Sequence, residues 1–223
     1  MIIRQPFIIL PMAITQFTRA LVMGRRFDKL FAVPSSQALQ ASLSASTETR
    51  LFIRGGKFSW ARPDKPERDQ DFTLDVPELE LVPGELLAIV GKVAAGKSSL
   101  CSALLCEMTR LEGAQARPSA VAVCLQDAFI LNDTVRANIL FGQPYDAARY
   151  DDAVNCSALQ RDLETFPGGD AAEIGERGIN LSGGQKARVA LARAAFSSAP
   201  MVILDDVLAA VDAEVGCARC VFH

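Results

Sequence analysis

Nine consecutive residues, Gly91-Lys92-Val93-Ala94-Ala95-Gly96-Lys97-Ser98-Ser99, carry the clearest chemistry in the chain. They fit G-x-x-x-x-G-K-[ST], in which the two glycines let the backbone wrap closely enough for successive N–H groups to point at phosphate oxygens. In that pattern the Lys97 ammonium reaches the β- and γ-phosphates of a nucleotide and the Ser98 hydroxyl ligates Mg²⁺. A second run, Leu181-Ser182-Gly183-Gly184-Gln185, joins a good helix N-cap to two residues without side chains. Such a start lets an anion approach the positive end of a helix dipole. A third feature is Asp205-Asp206, placed directly after the apolar run Met201-Val202-Ile203-Leu204. A carboxylate at the C-terminal end of a buried strand can hold Mg²⁺ beside phosphates.

These groups need rigid elements beneath them. Residues 85–90 (ELLAIV) read as a buried parallel strand feeding the phosphate loop, and residues 98–110, with Leu100, Leu104, Leu105 and Met108 at helical spacing, read as the helix after it. Strand, loop and helix together put a helix dipole at the phosphates. Ser182 is a plausible N-cap for a helix whose apolar face holds Val189, Ala192 and Phe196, and Ala199-Pro200 ends it. Residues 51–53, 57–60, 72–76 and 79–81 read as strands, the last two with one wet face. Residues 120–125 read as a further buried strand ending at Gln126-Asp127. Asn132-Asp133-Thr134 looks like a helix start, and residues 145–164 read as mostly helical. There is no internal repeat.

Residues 34–49 form a Ser/Ala/Gln-rich linker, so a domain boundary falls there. Before it, residues 1–31 carry Arg4, Arg19, Arg25 and Arg26, and the first acid is Asp28. Their apolar run, residues 7–14, contains Pro11 and is far short of the roughly 20 residues that span a bilayer. Composition leaves three readings open for this segment. They are an organelle transit peptide, a surface amphipathic helix, and the cytoplasmic end of a longer membrane helix.

The 223 residues are enough for one large domain or one domain with extensions. Half of them are hydrophobic and 22% are charged, a globular composition, and a net charge of −3 gives no argument for nucleic-acid binding. The six cysteines are scattered, which suits reduced thiols better than a secreted disulfide framework. Cys217, Cys220 and His223 resemble half a metal site, with no second pair to complete four ligands.

Taken together, the loop at Gly91, LSGGQ at Leu181 and VILDD at Val202 resemble the nucleotide-binding domain of ATP-binding-cassette (ABC) transporters. LSGGQ separates that family from other phosphate-loop ATPases, and the likeness covers the chain from about Leu51 onward. A finer resemblance is to the first nucleotide-binding domain of the multidrug-resistance-associated (C) subfamily. It rests on Phe58-Ser59-Trp60, on residues 132–142 (NDTVRANILFG), on residues 173–180 (EIGERGIN), and on the double aspartate with Ala209-Ala210-Val211-Asp212. The resemblance implies an α/β phosphate-loop NTPase of ABC type: a parallel core sheet, an antiparallel β subdomain and a helical subdomain at about residues 127–190, within a domain from residue 50 to 223. Residues 1–33 are similar to the end of the last helix of that subfamily's first membrane domain, which favours the third reading of the N-terminus.

The family implies roles at matching positions. The ligands are ATP and Mg²⁺, held by residues 91–99, with Ser98, Gln126 and Asp205 toward the metal. Trp60 would stack on adenine, and Gln126 would sense the γ-phosphate for the membrane domain. Residues 173–178 would touch that domain's cytoplasmic loops, at the cytoplasmic face of a membrane transporter. Residues 181–185 would cap the ATP of a second nucleotide-binding domain in a head-to-tail dimer.

Two departures stand out. The family usually places Glu after the Mg²⁺ aspartate, to polarise the attacking water, and here that residue is Asp206. The lost methylene retracts the carboxylate by ~1.5 Å, and a misplacement of about 1 Å can cost roughly 100-fold in rate. The expectation is an ATP site that binds tightly and hydrolyses slowly, the usual pattern in the subfamily's first domain. The family's switch histidine lies well beyond Asp212, whereas the chain stops at His223, its only histidine. The expectation is a C-terminally incomplete cassette. Other readings are a non-hydrolytic regulatory module, an ABC ATPase with no membrane domain, and a non-functional truncation.

Overall fold

The computed structural model describes residues 4–32, 50–60 and 72–207. The linker at 34–49, nearly all of the charged loop at 61–71, and the segment from 208 to 223 with Asp212, Cys217, Cys220 and His223 lie outside the described residues. The chain divides into two units, Met1–Ser44 and Ala45–His223.

The first unit is one helix, α1 (Arg4–Phe31), which continues through Pro11. The hydroxyl of Thr15 donates to the Pro11 carbonyl at 2.8 Å, giving that carbonyl a partner. From Leu10 onward its side chains are exposed. No described helix is long and apolar enough to cross a membrane.

The second unit begins with an antiparallel sheet of order β2-β1-β3, built from β1 (Leu51–Ser59), β2 (Thr73–Leu81) and β3 (Thr109–Ala116). β1 runs against β2 from Leu51↔Leu81 to Ser59↔Thr73. Period-2 alternation sends Leu51 and Ile53 into a core shared with Val76, Leu104 and Met108, and the irregular step between Arg54 and Phe58 shifts the phase so that Phe58 joins them. The two runs expected at 72–76 and 79–81 are a single strand.

Helix α2 (Lys97–Leu104) packs on this sheet through Cys101, Ala103 and Leu104. It is shorter than the spacing of Leu100, Leu104, Leu105 and Met108 implied. Cys106 turns to φ 64, Glu107 N–H bonds back to the Ser102 carbonyl at 2.9 Å, and Thr109 already belongs to β3. Met108 is still buried, but in the turn. Pairing with β1 overrides a helical pattern that residues 105–110 carried only weakly.

The parallel part differs more from expectation. It consists of β4 (Val121–Cys124) beside β5 (Met201–Leu204), in register from Val121↔Met201 to Cys124↔Leu204. Residues 85–90 are not a strand: no ladder pairs them among the described residues, and Leu86 and Val90 are 60% and 90% exposed. An apolar run supplies the pattern of a buried strand, but its N–H and C=O groups need a neighbouring strand to become one.

The remaining helices are α3 (Val135–Leu140), α4 (Ala147–Cys156), α5 (Gln160–Thr165) and α6 (Gly183–Phe196). Thr134 and Asp146 cap α3 and α4 with side-chain oxygens. The helices enclose Val135, Ile139, Tyr150, Leu159, Val189 and Phe196. Asn138 is fully buried. Its Nδ2 donates to the Leu131 and Thr134 carbonyls, both at 3.0 Å, and its Oδ1 accepts from Leu131 N–H at 2.8 Å and from Arg193 at 2.9 Å. The Arg193 guanidinium also donates to the carbonyls of Phe129 at 2.6 Å and Asn138 at 2.7 Å, and lies 4.5 Å from the Phe141 ring centre. Burial lowers its pKa. Arg193 thereby ties α6 to the segment that leaves β4.

Gly113 sits at the irregular step of the β1–β3 pair with φ 85, and a Cβ there would lie 2.2 Å from the Gly55 carbonyl oxygen. Gly113→Ala combines an αL penalty with a backbone clash, so it should lower unfolding free energy by about 2 kcal/mol or more, read from the urea midpoint.

Candidate phosphate and magnesium site

The loop at 91–96 closes on itself before any ligand is added. Gly96 takes φ 91, a left-handed conformation that releases the chain into α2, and α2 begins with no side-chain cap. The first N–H groups of an α-helix have no intrahelical acceptor, so an uncapped start is suited to an anion. Lys97 folds back over the loop, its Nζ donating to the carbonyls of Gly91 and Lys92 at 3.0 Å each. Ala95 N–H closes a turn onto the Lys92 carbonyl at 3.2 Å. Ser98 is exposed and Ser99 half-buried at the first turn of α2.

Asp205 and Asp206 follow β5 directly, and Asp205 N–H extends the ladder to the Cys124 carbonyl at 2.9 Å. Burial, and after it the Asp205 charge, raise the Cys101 thiol above its ordinary pKa. Cys101 lies three residues after Ser98 in α2, so the two share a helix face. The Asp205 charge is thus felt at the buried residue one turn beyond Ser98. Asp206 is exposed at φ 53, a left-handed geometry that aspartate tolerates better than most residues. Gln126 is exposed just beyond β4, and because β4 and β5 are parallel and in register it leaves the sheet at the same edge as Asp206. Ser98, Gln126 and Asp205 offer hydroxyl, amide and carboxylate oxygens, the donor set that suits Mg²⁺, which keeps waters and phosphate oxygens as its other ligands.

Trp60 is half-exposed at the end of β1. Across the hairpin stands Phe72, which the motif reading did not single out. Ser59 pairs with Thr73, so Trp60 and Phe72 come next at the same end. A Cβ at Gly96 would lie 3.5 Å from the Phe72 ring, so that ring borders the phosphate loop. The signal for it was an aromatic residue just before an alternating strand, on the face set by Leu74 and Val76.

LSGGQ opens α6 as a complete capping box. Ser182 Oγ accepts from Gln185 N–H at 3.2 Å, and Gln185 Oε1 accepts from Ser182 N–H at 2.9 Å. Leu181 packs on the core of α3, α4 and α6, whereas α2 packs on the antiparallel sheet. The two glycine-bearing helix starts thus belong to different packing clusters. Gly183 has nothing within 4 Å of a built Cβ, and Ser182 is exposed. Among the described residues no cysteine is in a disulfide, and burial pushes the Cys124 thiol up to about 11.

The model for the family described as ABC transporter matches residues 74–209, the span that holds both helix starts and the paired aspartates. The chain belongs to the ABC transporter family. It is 41% identical over 222 residues to "ABC transporter C family member 3" of Dictyostelium discoideum, which covers 100% of this chain and 15% of that protein. It is 41% identical to the mouse "ATP-binding cassette sub-family C member 2" and 43% identical to the rat "ATP-binding cassette sub-family C member 3", over 96% of this chain and 14% of each relative. The likeness makes it a nucleotide-binding domain of the C subfamily. It spans about one seventh of the length of these relatives.

One residue of this ABC loop is conformationally costly. Ala94 adopts φ 64, in the region that costs an L-residue about 1–2 kcal/mol. Glycine there relieves that strain against about 0.5–1 kcal/mol of extra chain entropy. Ala94→Gly should raise the thermal midpoint by a few degrees, by scanning calorimetry of the chain.

Proposed function

We propose that this chain is the first ATP-binding domain of an exporter-type ABC transporter, in which ATP binding and hydrolysis drive a solute across a membrane. The observation that carries the reading is the pair of glycine-bearing helix starts in separate packing clusters, one uncapped at the phosphate loop and the other capped but exposed at Ser182 and Gly183. The carboxylate beside the α6 start, Asp162, is held by Arg188, so that start can serve a nucleotide only if another body brings the rest of the site. That supports a head-to-tail partner cassette, whose ATP would meet Ser182, Gly183 and Gly184.

On this reading Lys97 swings from the Gly91 and Lys92 carbonyls onto the β- and γ-phosphates, and the N–H groups of residues 96–99 hold the same oxygens. Ser98, Asp205 and Gln126 would hold Mg²⁺, which neutralises charge on the β- and γ-oxygens. Trp60, with Phe72 beside the loop, offers the adenine ring an aromatic face. Asp206 would orient the attacking water, and its short reach supports a slow site. A groove of about 290 Å³ lies beside LSGGQ, lined by Val135, Phe166, Pro167, Ile174 and Leu181 with Glu173 and Asn180. It is the place where a cytoplasmic loop of the membrane domain would seat, and α1 would be the end of the helix leading from that domain. The localisation that follows is the cytoplasmic face of a membrane.

The full protein that carries this chain, reconstituted in vesicles, should bind MgATP and turn it over. Lys97→Ala should weaken MgATP binding at this site by roughly 10- to 100-fold, the worth of a charged hydrogen bond or two. Unchanged affinity would place the nucleotide elsewhere. A non-hydrolytic regulatory module is the second reading, favoured by Asp206. Asp206→Glu separates the two: single-site turnover should rise by at least about tenfold, toward the roughly 100-fold expected for about 1 Å of reach. No rise would reject the reach argument and leave a module that only binds.

A further inference from the structure

The capping box that opens α6 is braced from a neighbouring helix. The Gln185 amide has two chemically distinct ends, and both are engaged: Oε1 accepts from Ser182 N–H at 2.9 Å, while Nε2 donates to Asp162 Oδ1 of α5 at 3.2 Å. An ionised carboxylate only accepts hydrogen bonds. Asp162 is therefore satisfied by the NH₂ end of Gln185, which leaves Oε1 for Ser182 N–H. A flipped amide would set oxygen against carboxylate and NH₂ against N–H, two repulsive contacts in place of two bonds.

Asp162 is itself held in place. Arg188 grips it in a fork, Nε to Oδ2 at 2.6 Å and a terminal nitrogen to Oδ1 at 3.1 Å, and the two side chains are only 18% and 13% exposed. Gln185 and Arg188 are three residues apart on one face of α6, so one carboxylate reads both. The order of dependence runs from Arg188 to Asp162, to the Gln185 amide, and to the Ser182 backbone. Ser182 and Gly183 meanwhile stay open to the outside.

We infer that Asp162 is a positioning residue for LSGGQ: by selecting the orientation of the Gln185 amide it aims the N-terminal turn of α6 at the nucleotide presented by a partner. This rests on the reading of residues 181–185 given above. Asp162 touches no nucleotide. It acts through Gln185, and its role is separable from the stability that the Arg188 pair provides.

The separating experiment is a charge swap, Asp162→Arg with Arg188→Asp, beside the single variant Asp162→Asn. The swap rebuilds an ion pair between α5 and α6. A guanidinium only donates, so it draws Gln185 Oε1 away from Ser182 N–H. Two measurements follow: amide hydrogen exchange of the full 223-residue chain, and ATP turnover of the full protein that carries it. The swap should keep the thermal midpoint near that of the parent and keep the amides of the α6 interior protected. Exchange at Ser182 should quicken by about tenfold, as expected when one net hydrogen bond is lost. Turnover should fall by at least about tenfold with MgATP affinity at residues 91–99 unchanged. Asp162→Asn is the opposite control: its amide oxygen can stay at the Oδ1 position and accept from Gln185 Nε2 while the ion pair with Arg188 is lost, so the thermal midpoint should fall with exchange at Ser182 near that of the parent. Unchanged exchange at Ser182 in the swap overturns the inference. So does a swap that restores turnover along with stability, because Asp162 would then serve only the ion pair. If the parent itself hydrolyses no ATP, the transporter reading fails, and exchange at Ser182 still decides whether Asp162 orients the turn.

Discussion

Everything in the larger unit is arranged around helix N–H groups that the helix cannot satisfy. At α2 the chain provides no side-chain cap. Gly96 turns through a left-handed conformation, and Lys97 folds onto the carbonyls of its own loop. The loop is thus preformed around a positive interior, with a movable ammonium that can leave its backbone acceptors for a stronger anionic one. The antiparallel sheet fixes α2 from one side through Phe58 and Val76, and β5 ends at Asp205, whose charge reaches Cys101 of α2. Packing here serves the placement of charge.

The start of α6 solves the same problem differently. Ser182 and Gln185 complete a capping box, and Asp162 and Arg188 brace it from the side. What α6 offers outward is therefore a rigid, glycine-opened turn whose Ser182 and Gly183 remain exposed. One helix start is left open and backed by acids. The other is closed by its own cap, and the carboxylate beside it, Asp162, is already engaged by Gln185 and Arg188. That difference is the physical basis for assigning one to nucleotide held by this chain and the other to nucleotide held by a partner. Arg193 joins the two halves, since it bonds α6 to the Phe129 and Asn138 carbonyls beyond β4, on the segment that begins at Gln126.

Much of the site was legible because its signals are local. A G-x-x-x-x-G-K-S run dictates its own loop, LSGGQ dictates its own cap, and four apolar residues before two aspartates dictate a strand end. Helix α6 starts at Gly183 after a Ser182 cap, and β5 ends at Leu204, where those patterns put them. The misses involve partners distant in sequence. Residues 85–90 have the composition of a buried strand and lie exposed, because ladder hydrogen bonds come from a neighbour and not from the run itself. Residues 109–110 continued a helical spacing and became the start of β3, because pairing with β1 outweighs weak local preference. Phe72 went unremarked because its neighbour in space, Gly96, is far along the chain.

The amino-acid sequence alone determined the ABC family, the chemistry of the phosphate loop, the substitution of Asp206 for the usual glutamate, and the glycine-opened cap of α6. Each is a property of residue type at fixed spacing, written in a few consecutive positions. Only the tertiary structure decided that the Asp205 charge reaches Cys101 of α2, that Phe72 borders the loop, that Arg193 clamps the segment after β4, and that Asp162 bonds the Gln185 amide. Those are contacts between residues about 20 to more than 100 positions apart, and a hydrogen-bond partner at such separation is chosen by how the elements pack.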